Sequence, residues 1–272
     1  MKRISFLNNK GGVGKTASLT AVAHILAVEF GQRVLIVDMD PQSNSSALYG
    51  FTGSEETYSL LDVIHGKTYP ITDTVEDILM DTKKDINDCI YETDYETLKI
   101  IPSYITLSAI ENQLRANTDV PQQFKLDRQL RKVEDAFDYC LIDCGPSLSL
   151  LNVNALVASD AVYIPSKSDK DSRVGIANIL RLVSTVAEYS PRLEQVRCFL
   201  TQYDDRKKIC QEAYADCQEA LGEQFIEITI PVSTKVEQTG AKAQPLYKLD
   251  PHGKATRAYI DLSKYMIADT KS

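Results

Sequence analysis

The stretch Asn8-Asn9-Lys10-Gly11-Gly12-Val13-Gly14-Lys15-Thr16 carries the clearest chemistry in this 272-residue chain. Phosphate oxygens need several N–H donors at close range. Glycines let the backbone curl until successive amides point inward, and a helix starting just after the loop adds its partial positive charge. In such a loop Lys15 reaches the β- and γ-phosphates of a nucleoside triphosphate, and Thr16 offers a hydroxyl to Mg²⁺. The spacing departs from G-x-x-x-x-G-K-[ST] at one residue, Asn9 in place of the first glycine, and Lys10 adds a second lysine at the loop's start. A dinucleotide fingerprint is excluded, because Gly12-Val13-Gly14 is followed by Lys15-Thr16-Ala17 and the third glycine is missing.

Two groups of carboxylates accompany the loop. Asp38 and Asp40 end one apolar run, in Val37-Asp38-Met39-Asp40-Pro41, and Asp143 ends another, Cys140-Leu141-Ile142-Asp143. In a parallel sheet the C-terminal strand ends share one edge with the phosphate loop. Three carboxylates there can hold Mg²⁺ through its waters and orient an attacking water.

The elements that must position these groups are legible as apolar runs alternating with helical patterns. Strands are expected at Ile4–Leu7, Val34–Val37, Leu98–Pro102, Tyr139–Asp143, Ala161–Pro165, Arg197–Thr201 and Phe225–Thr229. Val34–Val37 is apolar throughout, as a strand buried on both faces of a parallel sheet should be. Thr16–Glu29 has Leu19, Val22, Ala23 and Leu26 at helical spacing, and Gly31 ends it. Helical patterns also fill 123–137, 147–158, 172–189, 207–221 and 254–267. This alternation predicts an α/β fold, a doubly wound, mostly parallel sheet with helices on both faces in three layers. No linker or repeat divides the chain, so residues 1–272 are expected to form a single domain, with 51–95 as an acidic elaboration on the sheet.

Composition narrows the function classes. The net charge is −8 and is concentrated in residues 51–100, which hold 4 basic and 12 acidic side chains. That argues against a generic nucleic-acid binder while leaving room for a local basic face. No apolar run is long enough to span a membrane, and the first strand begins too early for a signal peptide, so a cytoplasmic location is expected. Six scattered cysteines without a CxxC pair, and three distant histidines, give no zinc or disulfide framework.

The phosphate loop, the stretch Val37-Asp38-Met39-Asp40-Pro41-Gln42-Ser43-Asn44 and the stretch Leu141-Ile142-Asp143-Cys144-Gly145-Pro146-Ser147-Leu148 together resemble the ParA/MinD group of deviant Walker P-loop ATPases, and within it ParA (Soj-like) partition ATPases. The resemblance runs nearly end to end, through Ile101-Pro102-Ser103, Leu151–Leu156, Thr201-Gln202-Tyr203-Asp204, Ile230-Pro231 and Tyr247–Leu262. It implies a weak Mg²⁺-dependent ATPase that turns ATP into ADP and phosphate. Two subunits would sandwich two ATP molecules, and Lys10 would reach the partner's phosphates. A cross-subunit ammonium neutralises transition-state charge only after dimerisation. Asp40 would position or activate the water, and Asp38 and Asp143 would join Thr16 in the magnesium shell. Nucleotide contacts are implied for Lys10, Gly11, Gly12, Val13, Gly14, Lys15, Thr16 and Ala17, with Thr201, Pro231, Val232 and Ser233 near adenine. Ala17 replaces a usual Thr, Gly145 a usual Pro, and Pro231-Val232-Ser233 the usual Pro-Arg-Asn.

The resemblance further implies a homodimer on ATP binding, association with the nucleoid through non-specific DNA contacts, and a ParB-like centromere-binding partner that stimulates hydrolysis. Arg206 and Lys235 match the family's DNA-contacting positions, and Lys242, Lys248, Lys254 and Arg257 would extend that patch. A MinD-like membrane ATPase would need a basic amphipathic tail. Between Arg257 and the end, Lys264 and Lys271 are offset by Asp261 and Asp269, so the tail helix is expected to pack on the sheet. A third class is a metabolic P-loop ATP-dependent enzyme, such as a carboxylase-like or an iron–sulfur reductase-like relative; the latter would need subunit-bridging cysteines, and Cys140 and Cys144 flank Asp143 on a core strand instead. The chain starts at its first strand, so an N-terminal operator-binding extension is not expected.

Overall fold

Six of the seven expected strands form in the computed structural model, which describes residues 1–51, 73–104, 106–116 and 121–270. They are β1 (Lys2–Phe6), β2 (Val34–Met39), β4 (Leu98–Ile101), β5 (Tyr139–Cys144), β6 (Ala161–Ser166) and β7 (Gln195–Leu200). A short β3 (Tyr91–Glu92) joins antiparallel to β4, and every other pairing is parallel. The sheet order is β3-β4-β2-β5-β1-β6-β7. Successive side chains in a strand point to opposite faces. Leu35 and Val37 therefore belong to one core and Val34 and Ile36 to the other.

Among the described residues the α-helices are α1 (Lys15–Val28), α2 (Asn44–Leu48), α3 (Val75–Met80), α4 (Leu107–Ala116), α5 (Lys125–Leu130), α6 (Leu150–Val157), α7 (Lys170–Ala187), α8 (Lys208–Leu221), α9 (Thr234–Lys242), α10 (Leu246–Leu249) and α11 (Lys254–Asp269). One face of the sheet is covered by residues of α3 to α8 and the other by α1, α10 and α11. Tyr259, Leu262 and Met266 bury the inner side of α11 with α1, where Ser18 Oγ lies 3.1 Å from the Tyr259 hydroxyl.

Two expectations need correction. Phe225–Thr229 is not a strand. Ile226 N donates to Cys198 O and Ile230 N to Leu200 O, so β7 advances two residues while the segment advances four. That mismatch is incompatible with a continuous ladder and leaves isolated bridges at Phe225 and Pro231. The helix expected over 123–137 is α5 flanked by 3₁₀ turns at Gln122–Phe124 and Arg131–Val133. Leu126, Leu130, Val133 and Phe137 stay buried, so the apolar stripe survives while the backbone tightens at the ends. Helices α2, α4, α9 and α10 are outside the expected patterns: α2 and α10 are only four or five residues long, α9 buries nothing, and α4 sets Leu107, Ile110 and Leu114 against the core on a short stripe that the sequence reading missed. The acidic elaboration at 51–95 falls partly outside the described residues. Its described part holds α3, opened by a capping box in which the Thr74 hydroxyl accepts from Glu76 N and Thr74 N donates to Asp77.

Candidate nucleotide site

The loop between β1 and α1 is held from three sides. Buried Asn8 donates its amide to Pro165 O at 2.8 Å and accepts from Lys10 N at 3.0 Å, which fixes the loop's entry. Thr201, just past β7, donates its hydroxyl to Val13 O at 2.7 Å. Gln202 Nε2 donates to Gly12 O at 3.0 Å. Across a trans peptide the C=O and the next N–H point in opposite directions. Tying the carbonyls of Gly12 and Val13 back toward residues 201–202 therefore turns the amides of Val13 and Gly14 the other way, into the cradle. Gly12 (φ 71°) and Gly14 (φ 87°) take the left-handed conformation that this curl requires.

Both loop lysines are engaged. Lys15 is nearly buried, and its ammonium donates to Lys10 O at 3.2 Å. Burial lowers its pKa, with Asp143 and Asp40 working against that shift. Lys10 pairs with Asp169 at 2.7 Å. Asp169 caps α7, accepting from Ser172 N at 2.9 Å. Burial acts to raise its pKa, but the hydrogen bonds from Lys10 and Ser172 outweigh this and hold it low.

The parallel register sets Asp38 opposite Asp143 on adjacent strands. Both are fully buried. Asp38 accepts from Asp40 N at 3.1 Å and from the backbone and hydroxyl of Ser46 at 2.9 and 2.7 Å. Asp143 accepts from Ser45 Oγ at 2.5 Å through one oxygen, while the buried Oδ1 makes no hydrogen bond. Burial raises the pKa of each. For Asp143 the charge of Asp38 adds to that rise, and the Ser45 and Thr16 hydroxyls oppose it. Two buried carboxylates side by side, one with a buried oxygen that no hydrogen bond matches, are the donor set a small hard cation would satisfy. Among the described residues no group of three or more His, Cys, Asp or Glu side chains is set to hold a metal directly. Mg²⁺, which keeps several of its waters, suits such a site. Thr16, Asp38 and Asp143 would hold it, and the ion would supply charge neutralisation for the phosphates.

Several residues at the site have contacts that the sequence reading did not assign. A Cβ on Gly145 would stand 3.3 Å from Asp40 Oδ1, so the glycine that replaces the usual proline lets the chain after β5 approach that carboxylate. Gly175 of α7 does the same for Asn9 and Asn8, where a Cβ would meet side-chain oxygens at 2.9 and 3.3 Å. Ser103, within the quoted Ile-Pro-Ser stretch, donates to Asp40 O at 2.8 Å.

The expected base and DNA positions gather elsewhere. Thr201, expected near adenine, is buried with its hydroxyl on the loop. Pro231 and Val232 line a groove of about 790 Å³ with Arg206, Lys254 and Arg257. Ser233 caps α9 by accepting from Lys235 N at 3.2 Å. Arg206 is bound bidentately by Asp204, at 2.9 and 3.0 Å. The expected basic patch divides: Lys254 and Arg257 share the groove of Arg206, whereas Lys242 and Lys248 line a separate cavity with Tyr49 and Tyr95. All six cysteines are buried free thiols. No helix among the described residues is long and apolar enough to cross a membrane.

Strand, phosphate loop, helix and strand-end carboxylates on one edge of a parallel sheet define a P-loop nucleotide-binding protein. The AAA domain family model matches residues 1–195. The sporulation initiation inhibitor protein Soj of Bacillus subtilis is 30% identical over 98% of this chain and 99% of its own length. The chromosome partitioning protein ParA of Caulobacter vibrioides (strain NA1000 / CB15N) is 28% identical over 98% of this chain and 94% of its own. The fold matches the crystal structure of cobyrinic acid a,c-diamide synthase from Mycobacterium smegmatis with bound ADP and magnesium, with a TM-score of 0.80, 24% identity, and coverage of 100% of this chain and 96% of that one. This chain belongs to the ParA/MinD family of P-loop ATPases.

Proposed function

We propose that this chain is a ParA-type ATPase that binds Mg²⁺ and ATP, dimerises face to face on doing so, and partitions plasmid or chromosomal DNA in the cytoplasm with a ParB-like partner. The observation that carries the reading is the loop itself: a second lysine, Lys10, begins the phosphate cradle, on the edge that also presents Asp38, Asp40 and Asp143. A monomer leaves the γ-phosphate facing water, and a lysine at the loop's rim suits a role across a dimer face. The names of the Soj and ParA relatives favour DNA partitioning. The ADP and magnesium in the similar synthase structure favour the same ligands here. Lys15 holds the phosphates, Thr16 with Asp38 and Asp143 serves the metal, and Asp40 orients the attacking water. Pro231, Val232 and Ser233 lie toward the base, and Arg206 and Lys235 toward DNA phosphates.

The test is Asp40→Ala, measured by light scattering with Mg²⁺ and ATP. Loss of hydrolysis with retained binding should trap a dimer of twice the chain mass. A variant that binds ATP and stays monomeric would remove the sandwich from the mechanism, and with it the cross-subunit role of Lys10.

A further inference from the structure

Lys10 and Lys15 are lysines the loop supplies from its own sequence; a third arrives from far along the chain. Lys167 follows β6 by one residue, and its ammonium lies 3.8 Å from where a Cβ on Gly12 would stand. Gly12 has no side chain to cover it, so this cation rests against the loop backbone between Lys10 and Lys15. The three ammonium groups differ in how they are held. Lys10 is paired with Asp169 and Lys15 is folded onto Lys10 O. Lys167 makes no hydrogen bond or ion pair among the described residues and is only half buried. It is not needed to hold the loop in shape, because the carbonyl of Gly12 is already taken by Gln202. An ammonium without a counter-charge, set against a cradle of amides that collects anions, is matched by a ligand carrying several negative charges.

We propose that Lys167 is a third phosphate-contacting lysine of the site. It acts in cis, on the nucleotide bound by its own subunit, and neutralises part of the triphosphate before a second subunit arrives. The inference rests on the nucleotide reading of the loop and adds to it a charge that does not depend on dimerisation. Because the contact is to phosphate charge, it should favour ATP over ADP.

The experiment is titration of fluorescent ATP and ADP analogues, with Mg²⁺, into the full chain and into Lys167→Gln, Lys167→Arg and Lys15→Ala, at protein concentrations where the chain is monomeric. Losing one charge-assisted contact should weaken ATP binding of Lys167→Gln roughly tenfold and ADP binding less, with an unchanged melting temperature, while Lys167→Arg stays near the parent. Equal loss for ATP and ADP together with a lowered melting temperature would mean that the lysine only supports the loop, and would overturn the proposal. Parent-like binding of both nucleotides by Lys167→Gln would overturn it as well. Lys15→Ala separates the two levels: if it loses binding and Lys167→Gln does not, this inference alone fails, whereas parent-like binding by Lys15→Ala removes the nucleotide site itself.

Discussion

Thr201→Val separates what the position is expected to do from what its geometry shows. The replacement keeps the shape and removes the hydroxyl, which donates to Val13 O at 2.7 Å and lies within 3.2 Å of Ser166 O. Ser166 O keeps the Thr201 backbone amide at 2.8 Å, so only the Val13 carbonyl loses its partner. The site is buried, with Thr201 2% exposed and Val13 0%, and water does not replace the bond easily. A buried acceptor left unmatched costs about 1–3 kcal/mol. Taking about 2 kcal/mol, the melting temperature should fall by roughly 4–8 °C for a domain of this size. The freed carbonyl can also rotate toward the cradle, which turns the Gly14 amide out of it, so nucleotide affinity should fall about tenfold for ATP and GTP alike. Calorimetry and titration with both nucleotides read the two effects. A variant that melts like the parent and changes only the preference between ATP and GTP would refute the loop-holding role and restore a direct base contact.

His24 offers a pH-dependent test. Burial, helped by Lys248, lowers its pKa to about 4, and neither ring nitrogen has a partner. Above about pH 6.5 the ring is neutral folded and unfolded, so stability is fully present. As pH falls from 6.5 toward 4 the unfolded chain takes up the proton first, and about 3 kcal/mol of stability is lost. His24→Leu should flatten the fall in melting temperature over that window; an unchanged slope would assign the acid sensitivity to other groups. Gly175→Ala should lower nucleotide affinity severalfold, because its methyl would press on Asn9 and displace the loop's entry; parent-like titrations would show that the contact yields without consequence. Arg206→Glu with Lys235→Glu should weaken retention on DNA of any sequence, more at low salt than at high, and leave ATP binding intact. Equal gel shifts for variant and parent would exclude that face.

The phosphate loop was legible because its chemistry is local. Glycines, lysines and threonine that act together are contiguous, and the flanking strand and helix announce themselves by apolar spacing. The doubly wound sheet was legible for a related reason, since strands buried on both faces read as uninterrupted apolar runs. Phe225–Thr229 shows the limit: its residues suit a strand, but whether it pairs depends on the register its neighbour allows, and β7 advances at a different pace. α9 shows another, since a helix that buries nothing leaves no stripe in its sequence.

The amino-acid sequence by itself determined that a polyphosphate site stands at the end of the first strand, with carboxylates at two other strand ends. Only the tertiary structure decided which atoms face one another. Strand register brought Asp38 beside Asp143, residues far apart in the chain; burial in the sheet edge raised both carboxyls, and the charge of Asp38 raised Asp143 further. Chain reversals after β6 and β7 delivered Lys167, Asp169, Gly175, Thr201 and Gln202 to the loop. These five residues have no periodicity or spacing relative to Lys10 and Lys15. Their proximity comes from the packing of a whole sheet edge, a long-range property that no local window of sequence contains.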